Sequence, residues 1–152
     1  QMGNQQSIVK VNFEDVQTVS RKPTEAMMLK RTNKLPRILI NTLPNDEQGC
    51  LIRGTVKYNE ETKLINSFIA NCTTVEIIIY GKNSKDHTCE KKYLQLQNLG
   101  FTRIYIYYGG LFEWLLLQDI YGKDEFPTTS EEIDLLRFKP APQFINMSLL
   151  QS

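Results

Sequence analysis

Two β-branched apolar runs, VEIIIY at Val75–Tyr80 and RIYIYY at Arg103–Tyr108, flank a polar loop and a segment of helical period. A strand that is apolar at nearly every position has both faces buried, which is the pattern of a parallel sheet covered by helices on each side. Between the runs, Cys89, Tyr93, Leu96 and Leu99 recur at helical spacing before Gly100, so a helix with those four residues inward and a glycine stop is predicted. Strand, loop, helix and strand in this order make a βαβ unit. The chain therefore reads as α/β, a single domain with a central, mostly parallel sheet and helices on both faces.

The rest of the chain fits that unit. Ile8, Val9 and Val11 suggest a short first strand, and Phe13–Ser20 a helical turn or two. Pro23 and Thr24 open a further helix through Leu29. Leu35–Leu43 is a buried-strand candidate closed by Pro44, Asn45 and Asp46, and a second short strand is placed at Cys50–Lys57. Leu64, Ile65, Phe68 and Ile69 mark an amphipathic helix over Asn59–Ala70. Gly109 and Gly110 form a turn into the apolar helix LFEWLLLQDIY, Leu111–Tyr121, whose Trp114 reads as core. The segment after Gly122 is acidic and turn-rich and reads as a partner-contact loop. Residues 8–126 form the predicted domain, 1–7 a flexible leader and 127–152 an extension that packs along the body and then frays.

At 152 residues and 17.6 kDa there is room for one core of ordinary size. The 18 basic and 17 acidic side chains leave a net charge of +1, which argues against a nucleic-acid partner. Cys50, Cys72 and Cys89 have neither paired nor metal-ligand spacing. His87 is the lone histidine, and with Cys89 it is short of a ligand set, so no metal and no cofactor are expected. No apolar run approaches the roughly 20 residues that span a bilayer, and the expected location is cytoplasmic.

The N-terminus carries a specific signal. From Met2 the chain runs MGNQQS, the M-G-x-x-x-[ST] pattern of N-myristoylation with Gly3 as the acylated residue. Gln1, which precedes it, reads as an added residue. One acyl chain binds membranes marginally and a second signal is normally needed. Residues 1–40 hold seven basic against three acidic side chains, and the remainder eleven against fourteen. Two readings of that asymmetry stand: attraction to an anionic inner leaflet, or the solvated face of a folded helix. The first gives a peripheral membrane protein with the inner-leaflet surface as one partner and an unidentified protein as another.

The stretch VEIIIYGKNSKDHTCEKKYLQLQNLGFTRIYIYYGGLFEWLL resembles the rhodanese-like domain, the fold shared by sulfurtransferases and the dual-specificity cell-cycle phosphatases. The pieces that carry the resemblance are the strand Ile77–Tyr80, the loop from Gly81, LQNLGF at Leu96–Phe101, the strand Ile104–Tyr107, Gly109-Gly110 and Trp114. Upstream, RILINTL and CLIRGTV resemble the family's first core strand and its following element.

The resemblance implies a nucleophilic cysteine at the first loop position, where backbone N–H groups and the helix dipole lower its pKa. Gly81 stands there, and Asn41, Thr42 and Leu43 stand in place of the family's aspartate-x-arginine. Both departures point to a catalytically inactive, protein-binding or regulatory member. Two other readings remain. One is a thiosulfate-type sulfurtransferase or phosphatase with an atypical loop, for which Cys89 is the sole candidate nucleophile. The other is a phosphate- or anion-binding domain using Gly81, Lys82, Asn83, Ser84, Lys85 and Asp86. In that reading Gly81 supplies backbone freedom, Lys82 and Lys85 bring positive charge to a helix N-terminus, and Ser84 or Asp86 caps the helix. A solvated loop is the alternative.

Overall fold

The computed structural model describes residues 8–20 and 36–142. Four helices and three strands alternate along it: α1 (Phe13–Ser20), β1 (Arg37–Asn41), α2 (Tyr58–Asn71), β2 (Glu76–Tyr80), α3 (Thr88–Asn98), β3 (Arg103–Tyr107) and α4 (Gly110–Tyr121). The strands lie in the order β1-β2-β3, all parallel, with Leu39, Ile78 and Tyr105 in one register row. The α/β architecture inferred from the two apolar runs is thus the one observed.

Extended segments continue the sheet at both edges through single bridges. On the β3 side Lys10 bridges Ile106, with the Ile106 N–H donating to Val9 O and the Val11 N–H to Ile106 O, each at 3.0 Å. On the β1 side Thr55 bridges Leu39, and the Val56 N–H donates to Leu39 O at 2.8 Å. The strand expected over Cys50–Lys57 is therefore reduced to isolated bridges at Ile52 and Thr55. Gly54, at φ +95°, turns the chain between them, and a glycine in that conformation interrupts a strand.

Side-chain alternation along the strands divides the core. Ile40, Ile77, Ile79, Ile104 and Ile106 face Ile65 of α2 and Cys89, Tyr93 and Leu96 of α3. Leu39, Ile78, Tyr80 and Tyr107 face Val16 of α1 and Leu111, Trp114 and Leu115 of α4. Helices therefore cover both faces, as a strand buried on each side requires.

Local chemistry fixes the helix ends. Asn12 Oδ1 accepts from the N–H groups of Glu14 (3.0 Å) and Asp15 (3.3 Å), and Asp15 Oδ2 accepts from the Asn12 N–H at 3.3 Å. That reciprocal pair starts α1 as a capping box does. At the end of α3 Gly100 sits at φ +103°, its N–H donates to Gln97 O, and the Phe101 N–H donates to Leu96 O at 3.2 Å, the glycine stop expected of a Schellman motif. Leu99 departs from the expected inward face and is 42% exposed. It is the last residue before the left-handed glycine, where the chain is already leaving the helix axis.

After α4 the chain forms a strap. Phe126 and Phe138 are buried, Thr128 makes an antiparallel bridge to Ile52, and a short 3-10 turn covers Leu135–Phe138. The segment after Gly122, read as a partner-contact loop, turns inward at Phe126, which packs edge-on to Trp114, ring centroids 5.0 Å apart. The helix expected from Pro23, the myristoylation motif with Gly3, and residues 143–152 of the tail lie outside the described residues.

Candidate functional site

The C-terminal ends of the three parallel strands carry the loops that converge at one edge of the sheet, where ligands bind in open α/β folds. β1 runs into Asn41 and Thr42, β2 into the loop from Gly81, and β3 into Gly109 and Gly110. Asn41 is buried, and its Oδ1 accepts from the Leu43 N–H (3.0 Å) and from Gln48 Nε2 (2.8 Å). Sequence reasoning placed Asn41 and Thr42 as departures from a pattern and did not anticipate these roles.

The loop is held from α4. The N–H groups of Leu111 and Phe112 donate to the carbonyls of Gly81 (2.9 Å) and Lys82 (3.0 Å). Gly110, at φ +66°, lies so close beneath that a Cβ there would stand 2.6 Å from Gly81 O and 3.0 Å from Asn83 N. Close backbone approach and a positive φ explain the glycine at 110, whereas a Cβ at Gly109 would meet the Glu113 side chain.

Gly81 is required for a different reason. Its φ is not positive, so the backbone freedom expected of it is unused. A Cβ at Gly81 would meet Asp86 Oδ2 at 2.5 Å and Thr42 Oγ1 at 2.9 Å. The space in front of the first loop residue is already filled.

The remaining loop residues separate. Lys82 turns outward to Glu47, Nζ to Oε1 3.6 Å. Asn83 is buried, donating from Nδ2 to Phe138 O (2.9 Å) and accepting from the Lys85 N–H at Oδ1 (2.9 Å). Ser84 and Lys85 are exposed. Asp86 accepts from the Lys82 N–H at Oδ2 (2.9 Å) and from the Thr88 N–H at Oδ1 (3.0 Å). Of the two expected caps for α3, Asp86 makes the bond, which is the preference of a carboxylate at a helix start. The Thr88 hydroxyl bridges Asp86 Oδ1 (2.5 Å) and Thr42 Oγ1 (2.7 Å).

Cys89 is the second residue of α3, 2% exposed, its Sγ 3.6 Å from Thr42 Oγ1. Burial pushes its thiol up to about 12, and the charges of Asp86 and Glu90 act in the same direction against the Thr42 contact. A thiolate nucleophile needs the opposite environment, electropositive and partly open. His87 is exposed and faces Glu90 at 3.7 Å. Among the described residues no group of three or more His, Cys, Asp or Glu is placed to hold a metal ion, and no helix is long and apolar enough to cross a membrane.

Trp114 is fully buried, with its indole N–H donating to Pro127 O at 3.0 Å. Tyr107 donates to Glu113 Oε1 at 2.7 Å and packs edge-on to Trp114. Burial and that carboxylate raise the Tyr107 hydroxyl above its ordinary range. These aromatics belong to the core beneath the loop.

Comparison with known proteins agrees with this architecture. The family profile described as "Rhodanese-like domain" matches residues 25–117. A yeast protein tyrosine phosphatase of the rhodanese family, Ygr203w, superposes with a TM-score of 0.50 at 15% identity, covering 86% of this chain and 97% of the yeast one. The rhodanese-like domain of the Alr3790 protein from Anabaena sp. gives a TM-score of 0.47 at 19% identity over 70% of this chain and 100% of that one. No curated protein sequence is similar enough to match the chain.

Proposed function

Because this chain belongs to the rhodanese-like domain family, we propose that it is a catalytically silent member, an interaction or regulatory module tethered to the inner leaflet of a membrane through N-myristoylated Gly3. The observation that carries the silent reading is Gly81. Where the family resemblance implies a thiol, a Cβ alone would stand 2.5 Å from a carboxylate oxygen. The nearest thiol in sequence, Cys89, is buried and held protonated, which supports the same conclusion. The tether rests on MGNQQS and on the basic bias of residues 1–40. A module of this kind takes a protein partner at a membrane surface, and its partner chemistry lies outside the old nucleophile position.

Thiosulfate-to-cyanide sulfur transfer and aryl-phosphate hydrolysis by the full chain test the silent reading, read alongside intact mass. No turnover and no adduct of about 32 Da, one sulfur on a thiolate, is the expected result. Turnover that disappears in Cys89→Ser overturns it. For the tether, Gly3→Ala should move the protein from the membrane to the soluble fraction of a cell that myristoylates it. Unchanged fractionation of that variant removes the tether.

A further inference from the structure

Helix α4 lacks the polar outer side that α2 and α3 have. Its sequence, GLFEWLLLQDIY, carries polar side chains only at Glu113, Gln118 and Asp119, and a helix apolar nearly all round is one covered on every side. The core covers one side only. Trp114 and Leu115 are buried, whereas Leu116 is exposed and Ile120 and Tyr121 are 69% and 64% exposed. Phe112, Leu116 and Ile120 stand four apart and so form one stripe along the helix. On α3 the exposed side holds Lys91, Gln95 and Asn98 around a single leucine, Leu94, and an apolar side chain exposed singly is ordinary. Beside α4 the turn Leu135–Phe138 packs against the helix and adds the exposed Leu136.

The surroundings of that stripe are acidic. From residue 113 to residue 134 the chain carries seven acidic side chains and one lysine, in a protein whose net charge is +1. The lysine, Lys123, is paired with Glu131 at 3.2 Å. Asp119, three residues from Leu116, and Asp124, two past the helix-ending Gly122, are exposed. An apolar stripe with a negative rim discriminates among occupants. The rim repels an anionic lipid surface, and a second copy of the same face would set like charges against each other. A helix surface offers no free backbone groups, so an added strand finds nothing to bond, whereas a second helix packs side chain against side chain.

We propose that the outer face of α4 is a docking surface for a cationic amphipathic helix of a partner protein. Leu116, Ile120 and Tyr121 take its apolar side chains, and Asp119 and Asp124 face its lysines or arginines. This rests on the interaction-module reading above and deepens it, giving the module a face and its partner a chemistry.

The test is titration of the full chain, followed through backbone amide shifts, with a synthetic leucine–lysine peptide of about four helical turns whose leucines fall on one side. All titrations use the Gly3→Ala background, which keeps an acyl chain out of the measurement. Saturable shifts at Leu116, Ile120 and Tyr121 are expected, with affinity falling as salt is raised. Ile120→Asp separates docking from general attraction to an acidic surface, because it removes an apolar anchor and adds a negative charge. Docking requires binding at least about tenfold weaker in that variant, whereas charge alone would make it tighter. Leu94→Asp on α3 should leave the affinity within about twofold, and Asp119→Lys should weaken it by about threefold. A leucine–glutamate peptide of the same pattern should not bind.

Absence of saturable shifts at those three residues overturns the proposal, as does equal or tighter binding by Ile120→Asp or equal binding of the glutamate peptide. Phosphatidylserine vesicles that move the same amides assign the face to a membrane, and self-association abolished by Ile120→Asp assigns it to a second copy; either overturns it. Should Ile120→Asp not fold, Ile120→Ser takes its place, and binding at least about threefold weaker is required of it. Turnover in the sulfur-transfer or phosphatase assay removes the silent reading and leaves these titrations interpretable. A chain that ignores the leucine–lysine peptide removes the docking face and leaves the silent reading in place.

Discussion

Against α2 and α3 the sheet packs almost wholly aliphatic side chains, Ile40, Ile77, Ile79, Ile104 and Ile106, whereas against α1 and α4 it presents Tyr80 and Tyr107 beside Trp114, Phe126 and Phe138. The first face is held by burial, which has no direction and tolerates small changes of shape. The second is held by burial plus hydrogen bonds that each need one partner in one place. Tyr80 Oη accepts from the Ile52 N–H at 3.1 Å and lies 2.7 Å from Thr55 Oγ1, and Trp114 Nε1 donates to Pro127 O. Buried hydroxyls and indoles require such partners. The two faces should therefore fail differently.

Alkaline pH should produce the largest loss, because both faces bury an acid whose pKa is raised. Cys89 on the aliphatic face moves from 9.0 to about 12 through burial, and burial likewise raises Tyr80 and Tyr107 on the aromatic face from 10.0. In each case the unfolded chain gives up its proton first, so the stabilisation is whole below the unfolded pKa and is lost as pH rises through the folded one. Denaturant unfolding across the alkaline range should show stability falling from about pH 9. In Cys89→Ala the fall from about pH 9 should be shallower, carried by Cys50, whose thiol pKa burial also raises, until the tyrosines join nearer pH 10; an unchanged slope would break the assignment of part of the first step to the aliphatic face.

Trp114→Ala should cost about 3–5 kcal/mol in urea unfolding, the range for a buried aromatic that leaves a cavity. It also orphans Pro127 O and unseats Phe126. Tyr80→Phe keeps the ring and removes the hydroxyl, leaving the buried Ile52 N–H without its acceptor, for a loss of about 1–3 kcal/mol. Ile79→Val, the matching small deletion on the aliphatic face, should cost about 0.5–1.5 kcal/mol. An Ile79→Val loss above that of Tyr80→Phe would break the distinction between directional and non-directional packing.

What the sequence made legible follows the same division. The aliphatic face depends on strand alternation and on one helical period, and Ile77, Ile79, Cys89, Tyr93 and Leu96 all fall where periodicity puts them. Leu99 failed because a period does not announce where the axis ends. On the aromatic face Trp114 was placed as core, but its partner Pro127 and the bridge from Ile52 to Thr128 were not, since no local pattern pairs residues so far apart. The Cys50–Lys57 segment reads as a strand by composition, yet it serves the strap and the β1 edge through single bridges. At the loop, Asp86 was legible as a cap from its place before an amphipathic segment. Its contact with Gly81 was not, because a glycine chosen for lack of volume looks in sequence the same as one chosen for a positive φ.

The strap has a consequence for the order in which this domain is completed during synthesis. Thr129 and Ser130 bond to Leu51 and Gly49 across 78 and 81 residues, and Gln17 reaches Glu125 across 108. Chains emerge from the ribosome N-terminus first, at about 5–20 residues per second, and contacts of long sequence separation must wait for their second half. The aliphatic side has all its parts once β3 has emerged. The aromatic side stays open for the several seconds that residues 108–138 take to appear, with the Trp114 indole N–H and the backbone of Leu51 and Arg53 still facing water. A nascent chain of this protein is therefore one-sided for a time, until the strap through Phe126 and Phe138 seals it.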